Sequence, residues 1–301
     1  MNEHARKLCE KLALNLPVYQ AGLGGIAGPD LAAAVSNAGA LGHLGGIRMG
    51  AENLRQWIIE TKTKTNKPFG VNLVPPGGGP DGFEAQFQVV LDEKPAVVSL
   101  FWREFRDEIR RAKDSGIITM VQVGSVSEGI TAAKHGADVI IAQGMEAGGH
   151  VRGTVALLPL LSELIHTIPH SPVIAAGGIA RAEDVKTVMD AGAAGVWVGT
   201  RFVATDEALA HDYYKQRLVD ATTDDTRHER LYSFGWKPGT PYRVLPGAPW
   251  WNPFGWVAGG ARKKDKRSYA KSLKLYAGQG VGGITKIEPA AAVVHDLSRY
   301  L

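Results

Sequence analysis

Residues Ala142 to His150, AQGMEAGGH, set an acid, two adjacent glycines and a histidine directly behind an apolar run. That run, Ala137 to Ala142 (ADVIIA), is apolar and β-branched, as in a strand buried on both faces of a parallel sheet. The residues after it therefore sit at a sheet edge. Gly148 and Gly149 let the backbone turn with positive φ and lie close against a flat ligand. His150 is then displayed over that ligand, and it is the candidate catalytic residue because imidazole titrates near neutrality. Gln143, which opens the turn, is a candidate cofactor contact. The plainer reading of His150 is a loop histidine that caps a neighbour; the glycines and the strand end weigh against it.

Such a loop needs a scaffold that repeats strand and helix. Short apolar strands end near Gln20, His43, Leu73, Leu100, Val123, Ala142, Ala176 and Gly199, at intervals of 19 to 34 residues. Helical periodicity falls between them, over 29–38, 52–63, 83–92, 104–115, 126–135, 155–167 and 182–191. Eight βα units close most economically into an α/β (β/α)8 TIM barrel, with functional residues on loops after the strands. A doubly wound dinucleotide fold is the rival, since Gly22 to Ala27 match G-x-G-x-x-A. That fold calls for an acid about 20 positions on. The region Gly42 to Gly46 reads GHLGG instead, so Gly22, Leu23 and Gly24 are taken as a loop that admits a flat ligand.

The barrel is expected over 1–205 and 277–301, split by an inserted lid over 206–276. Residues 206–230 look helical and charged, while 231–260 carry five prolines and four tryptophans, Trp236, Trp250, Trp251 and Trp256. Prolines argue there against a long helix or a central strand. The tryptophans need a home against the barrel, across a homodimer, or as an apolar wall over the ligand. The glycine turn YAGQGVGGI then brings Gln279 and Gly280 back towards the site, ahead of a closing helix at 289–297.

Composition narrows the function classes. At 301 residues and 45% hydrophobic, the chain can bury one large core or two modest ones. The single cysteine, Cys9, excludes an internal disulfide, and the opening MNEHARKLCEKLALNL has no uninterrupted apolar segment. The expectation is a soluble, cytoplasmic protein with no membrane span. Net charge is +4, and the run from Arg262 to Arg267 accounts for all of it. No aromatic stacking motif, helix-turn-helix or zinc spacing accompanies that run, so it reads as a solvated helix start and nucleic acid is set aside. No metal-ligand cluster, paired carboxylates or convincing nucleophile stands out beside His150.

A phosphate is better placed late in the chain. VIAAGGIARAEDV and GVWVGTRF each run strand, glycine turn, then helix or loop, in the seventh and eighth units. Backbone N–H groups of such turns commonly cradle phosphate in a (β/α)8 barrel, which singles out Gly177, Gly178, Gly199 and Thr200.

The segments PVYQAGLGG, LAAAVSNAGALGHLGG, KPFGVNL, AQGMEAGGH, PVIAAGGIA, GAAGVWVGTRFVAT and YAGQGVGGI resemble the flavin-dependent nitronate monooxygenases, also called 2-nitropropane dioxygenases. They cover most of the barrel in order. The same family shape includes flavin enoyl-acyl-carrier-protein reductases and some NAD(P)H:quinone reductases. The resemblance implies one non-covalent FMN across the barrel top. Gly22, Leu23 and Gly24 would line its ring, Asn72 would lie near it, the late glycines would hold its phosphate, and His150 would face the substrate. Some members place a lysine after the fifth strand where this chain has Gln122, which removes a cation beside the flavin. Val74 stands where some relatives carry a hydroxyl residue.

The implied reaction is oxidation of an alkyl nitronate by molecular oxygen to a carbonyl compound and nitrite. The alternative is NAD(P)H-dependent reduction of an enoyl or quinone substrate. Two readings from other classes stay open: a flavin-free barrel acting on a phosphorylated metabolite, and a noncatalytic small-molecule binder.

Overall fold

Runs such as Val97–Phe101 (VVSLF) and Val139–Gln143 (VIIAQ) are buried along their whole length. One face packs on outer helices and the other fills a barrel. The computed structural model describes every residue except 76–78, 80, 231–234 and 248–257. In chain order the barrel region holds β1 (Val18–Gln20), β2 (Gly42–Gly45), β3 (Phe69–Leu73), β4 (Val97–Phe101), β5 (Ile118–Val123), β6 (Val139–Gln143), a two-residue β7 (Gly149–His150), β8 (Val173–Ala176) and β9 (Val196–Val198). All but β7 form one parallel sheet in the order β1-β9-β8-β6-β5-β4-β3-β2, and a bridge from Tyr19 to Leu41 brings β1 beside β2. The architecture is a (β/α)8 barrel.

Helix α1 (Glu3–Leu12) precedes β1, and its Leu8, Cys9 and Leu12 pack with Tyr19, Val97 and Ile118 inside the barrel. Between the strands run α2 (Pro29–Asn37), α3 (Ala51–Lys64), α4 (Gly82–Glu93), α5 (Arg106–Asp114), α6 (Val126–Lys134), α7 (Leu157–Thr167) and α8 (Ala182–Asp190). These match the sequence periodicity to within a few residues at each end. Side chains alternate along the strands, so Met120 and Gln122, or Ile141 and Gln143, share the inner face. The interior is apolar through Met120, Ile141 and Ile174, then turns polar at the strand ends, where Asn72, Gln122 and Gln143 border a cavity.

The chain after β9 departs from expectation. Only α9 (Thr200–Val203) and α10 (Asp212–Val219) are helical before residue 222. The rest of 206–230 is not a helix: a 3-10 turn at Thr223–Asp225 leads into β10 (Arg227–Glu229). Asp225 accepts hydrogen bonds from the Thr222 backbone at 2.7 Å and hydroxyl at 2.9 Å. Such local side-chain bonds compete with helix propagation. Nor do the prolines exclude a central strand. Pro241 and Pro246 bracket β11 (Tyr242–Leu245), which is short enough to fit between them. With β12 (Ala258–Gly259) and β13 (Lys274–Tyr276) it forms a second sheet, in which β11 pairs β10, β13 and β7. Helix α11 (Arg267–Ser272) starts only at the last residue of the basic run, and α12 (Ala290–Leu297) closes the barrel. Trp250, Trp251, Trp256, Pro249 and Pro253 lie outside the described residues. Among the described residues no helix is long and apolar enough to cross a membrane.

Candidate active site

The loop behind β6 is held by its own polar residues. Gln143 donates from Nε2 to the His150 carbonyl at 2.9 Å and accepts from the Arg152 backbone at 3.1 Å. Its amide thus ties the loop in place. The acid of the motif serves the structure, since the Glu146 carboxylate accepts from the Leu157 backbone at 3.1 and 3.0 Å and caps α7. Gly149 takes φ 74°, which a side chain would strain. A Cβ at Gly148 would lie 2.4 Å from the Gly278 nitrogen, so this glycine is required by the returning chain.

His150 pairs with Tyr242 across β7 and β11. Its ring stacks on Trp236 with centroids 3.7 Å apart and planes at 19°, and Trp102, Tyr242 and Tyr276 stand 5.4 to 6.1 Å away. Nε2 is buried without a hydrogen-bond partner among the described residues. Burial, reinforced by the charge of Arg48, pushes the imidazole down to about 3, so it is neutral at physiological pH. A buried polar nitrogen left unpaired costs free energy, about 1–3 kcal/mol. In a cavity wall that cost marks a place where a ligand atom is wanted.

Two arginines brace this aromatic box. Arg152 bonds the Glu128 carboxylate and the carbonyl of Trp102, whose φ of 98° is unusual for a side-chain-bearing residue. Arg243, on β11, donates to the Met145 carbonyl at 3.2 and 3.0 Å and to Thr226 at 3.2 Å. The segment that follows β9 therefore clamps the β6 loop.

The cavity over the barrel encloses about 1170 Å³. It brings together His150, Gly22, Leu23, Gly24, Asn72, Gln122, Gln143, Gly148, Gly149, Gly177, Gly178, Gly199 and Thr200. Asn72 is oriented by donation to Ser99 Oγ at 3.0 Å. Gln279 stands apart from the wall: its N–H donates to the Glu146 carbonyl at 2.9 Å and its carbonyl accepts from Thr223 at 2.9 Å. Its neighbours Gly278 and Gly280 border the cavity instead.

Gly177 and Gly178 take φ 111° and 73° where the chain leaves β8. The N–H groups just before α8, on Ala180 and Arg181, are already spent on Asp184 at 3.0 and 2.8 Å. Donors for an anion at this end must come from the glycine turns themselves. The wall suits a flat, phosphate-bearing group: glycine at one end, amides at the strand ends, an unpaired imidazole opposite. Among the described residues no group of three His, Cys, Asp or Glu could hold a metal ion.

Several wall residues escaped sequence reasoning. Arg48 follows β2 with φ 60°, and a cation two residues after the Gly45–Gly46 pair was a usable signal. The basic run is exposed and leads into α11, as the solvated reading has it, but Arg262, Lys263 and Lys264 also border the cavity, which the sequence did not show. Trp102 and Arg243, which brace the His150 loop from behind the cavity lining, carried no local signal.

With this geometry in view, a profile of the family described as nitronate monooxygenase matches residues 6–245. The chain belongs to that family. A nitronate monooxygenase of Pseudomonas aeruginosa is 30% identical, over 96% of this chain and 97% of that protein. The (3aS,4S,5R,7aS)-5-hydroxy-7a-methyl-1-oxo-octahydro-1H-indene-4-carboxyl-CoA dehydrogenase of Rhodococcus jostii is 35% identical over 79% of this chain, which spans only 65% of that relative's length. The solved structure of FabK from Thermotoga maritima superposes with a TM-score of 0.85 at 31% identity, covering 97% of this chain and 94% of that one. The family's members thus bear the names of both monooxygenases and dehydrogenases.

Proposed function

We propose that the chain is an FMN-dependent oxidoreductase that oxidises alkyl nitronates with molecular oxygen to a carbonyl compound and nitrite. The observation that carries the reading is His150, a neutral imidazole with a buried, unpartnered Nε2 in the wall of a glycine-lined cavity. FMN, when bound, supplies a carrier that takes electrons from the substrate and passes them to oxygen. The turns at Gly177–Gly178 and Gly199–Thr200 would hold its phosphate. Gly22, Leu23 and Gly24 would lie along the ring, with the Asn72 and Gln122 amides bonding its polar edge.

The chain's own groups favour an anionic substrate. Arg48 lies near enough to His150 to depress its protonation, and its charge attracts a nitronate to the same place. In the tautomer with the proton on Nε2, His150 donates to a nitro oxygen. An imidazole held near 3 is a weak base for the α-proton of a neutral nitroalkane, so the preformed anion is the preferred substrate. Trp102, Trp236 and Tyr276 keep water from that end of the cavity and strengthen the hydrogen bond.

The cavity volume favours a second reading. Small-molecule sites usually occupy about 300–1,000 Å³, and this one exceeds that range. FMN would take a large share of that volume, and an acyl thioester, oxidised or reduced at the same flavin, would use more of the remainder than a small nitronate does. The Rhodococcus relative's name specifies a carboxyl-CoA substrate.

Anaerobic absorbance of the purified protein, mixed separately with ethyl nitronate, neutral nitroethane and NADPH, tests the reading. Bleaching of a flavin band by the nitronate, and far more slowly by nitroethane, is expected. Bleaching by NADPH alone would overturn nitronate oxidation in favour of the second reading.

A further inference from the structure

The proposed chemistry leaves the basic part of the cavity wall unused. Arg262, Lys263 and Lys264 border the cavity there, and Arg48, already placed near His150, adds to the positive charge of the same cavity. Asp265 is the wall's only carboxylate among the described residues, and it is engaged by Arg262, whose backbone donates to it at 2.7 Å. A cavity wall with four cations and one carboxylate thus concentrates the positive charge of a chain whose net charge is only +4.

The turn carrying these cations is anchored to the body of the protein. The Lys263 N–H donates to the Leu209 carbonyl at 2.7 Å, and the His211 N–H donates to the Ala261 carbonyl at 2.9 Å. The Arg262 side chain lies over the Gly25 turn, its Cδ only 2.9 Å from where a Cβ would stand. By contrast Lys263 and Lys264 are exposed and reach no described carboxylate within ion-pair distance, whereas Lys62, Lys64 and Lys274 are all paired. Tyr269 and Trp57 supply aromatic surface in the same wall.

We propose that this basic turn binds the phosphates of a substrate carrying a ribose-phosphorylated adenosine diphosphate, with the adenine against the neighbouring aromatic surface. Lys263 and Lys264, unpaired among the described residues yet held on a fixed turn, suit multiply charged phosphate, and an aromatic face suits a purine. Two substrates share that chemistry, a coenzyme A thioester and NADPH, and they differ in which ribose hydroxyl is phosphorylated. The inference rests on taking this cavity as the active site, but not on the identity of the oxidised carbon.

Isothermal titration of the intact protein in phosphate-free buffer tests it, with adenosine 3′,5′-bisphosphate, adenosine 2′,5′-bisphosphate and AMP as probes. Flavin content is read by absorbance in the same samples. At least one bisphosphate should bind about ten-fold or more tighter than AMP, since added phosphate contacts of ~1.4 kcal/mol give that factor. K263E/K264E should abolish the difference, K67E/K134E on remote exposed faces should leave it intact, and added salt should weaken it. A preference for the 3′,5′ isomer assigns the subsite to a coenzyme A thioester, and one for the 2′,5′ isomer to NADPH. Equal affinity for AMP and both bisphosphates, or bisphosphate binding unchanged in K263E/K264E, overturns the proposal. A protein that binds bisphosphate but holds no flavin would refute the flavin reading and leave this one standing.

Discussion

The barrel's strand ends and the segment folded over them meet the same cavity with different chemistry. From below come small or neutral groups: glycine turns and the amides of Asn72, Gln122 and Gln143. From above and from the side come the aromatic ring of Trp236, the guanidinium of Arg243 that grips the Met145 carbonyl, and the basic turn at Arg262–Lys264. The lower wall is shaped to accept a rigid, flat ligand closely. The upper wall brings aromatic surface and positive charge to the cavity. The scaffold thus supplies the close-fitting shape, and the segment laid over it supplies most of the charge.

The harshest way to break the comparison is to loosen the lower wall's closure. Arg201, next to Thr200, is buried against Glu288 just before α12. Glu288→Ala strands a buried guanidinium and should cost about 3–5 kcal/mol, read as a lower urea midpoint. An unchanged midpoint would show that the pair does not close the barrel.

Next in size is the group at the meeting point. His150→Ala should lower kcat/KM for a nitronate by about 10- to 100-fold, the worth of a hydrogen bond of ~1.5–3 kcal/mol to a charged partner. Flavin content should stay normal. Since the imidazole is neutral down to about pH 3, wild-type kcat/KM should also show no break near 6.5. A break there that disappears in His150→Ala would refute the neutral imidazole.

Arg243→Met tests the clamp from above. It leaves the Met145 carbonyl without its arginine donors, and should destabilise by about 1–3 kcal/mol while raising KM more than it lowers kcat. Equal loss in both parameters would mean that Arg243 acts beyond positioning.

The smallest effect is a slope. His43, sealed in the barrel against Trp197, and His150 are both pushed to about 3 by burial, against roughly 6.5 in the unfolded chain. With their folded values depressed, the unfolded state binds more protons between those limits. Stability present above about pH 6.5 is therefore lost as pH falls towards 3. Urea midpoints from pH 7.5 to 5 should decline, and His43→Leu should flatten the decline. An equal slope in the variant would sink the assignment to His43.

Much of the scaffold was readable before the fold was known. VVSLF and ADVIIA announce buried strands through residues adjacent in the chain, and the glycines at 148–149 and 177–178 mark sharp turns after strands. The role of Glu146 was not readable, because nothing local shows that its carboxylate reaches forward to cap α7. The stretch 206–230 misled for another reason: its charged pattern suited a helix, but Thr222 and Asp225 spend their hydrogen bonds on a turn. Gln279 lies in the returning glycine turn, as expected, but the residues of that turn that border the cavity are its neighbours Gly278 and Gly280, while its own N–H and carbonyl bond to Glu146 and Thr223.

By itself the sequence determined the alternation of strand and helix, the places where the backbone must turn tightly, and the histidine in the loop behind the sixth strand. Those features depend on neighbours in the chain, on periods of two and 3.6 residues and on the missing Cβ of glycine. Tertiary structure alone decided that His150 is neutral, because its burial is assembled from Trp102, Trp236, Tyr242 and Tyr276, far apart in the chain. It also decided that the basic run faces the cavity and that a second sheet covers the site. Burial and charge at a point are sums over everything that surrounds it, and no local pattern carries that sum.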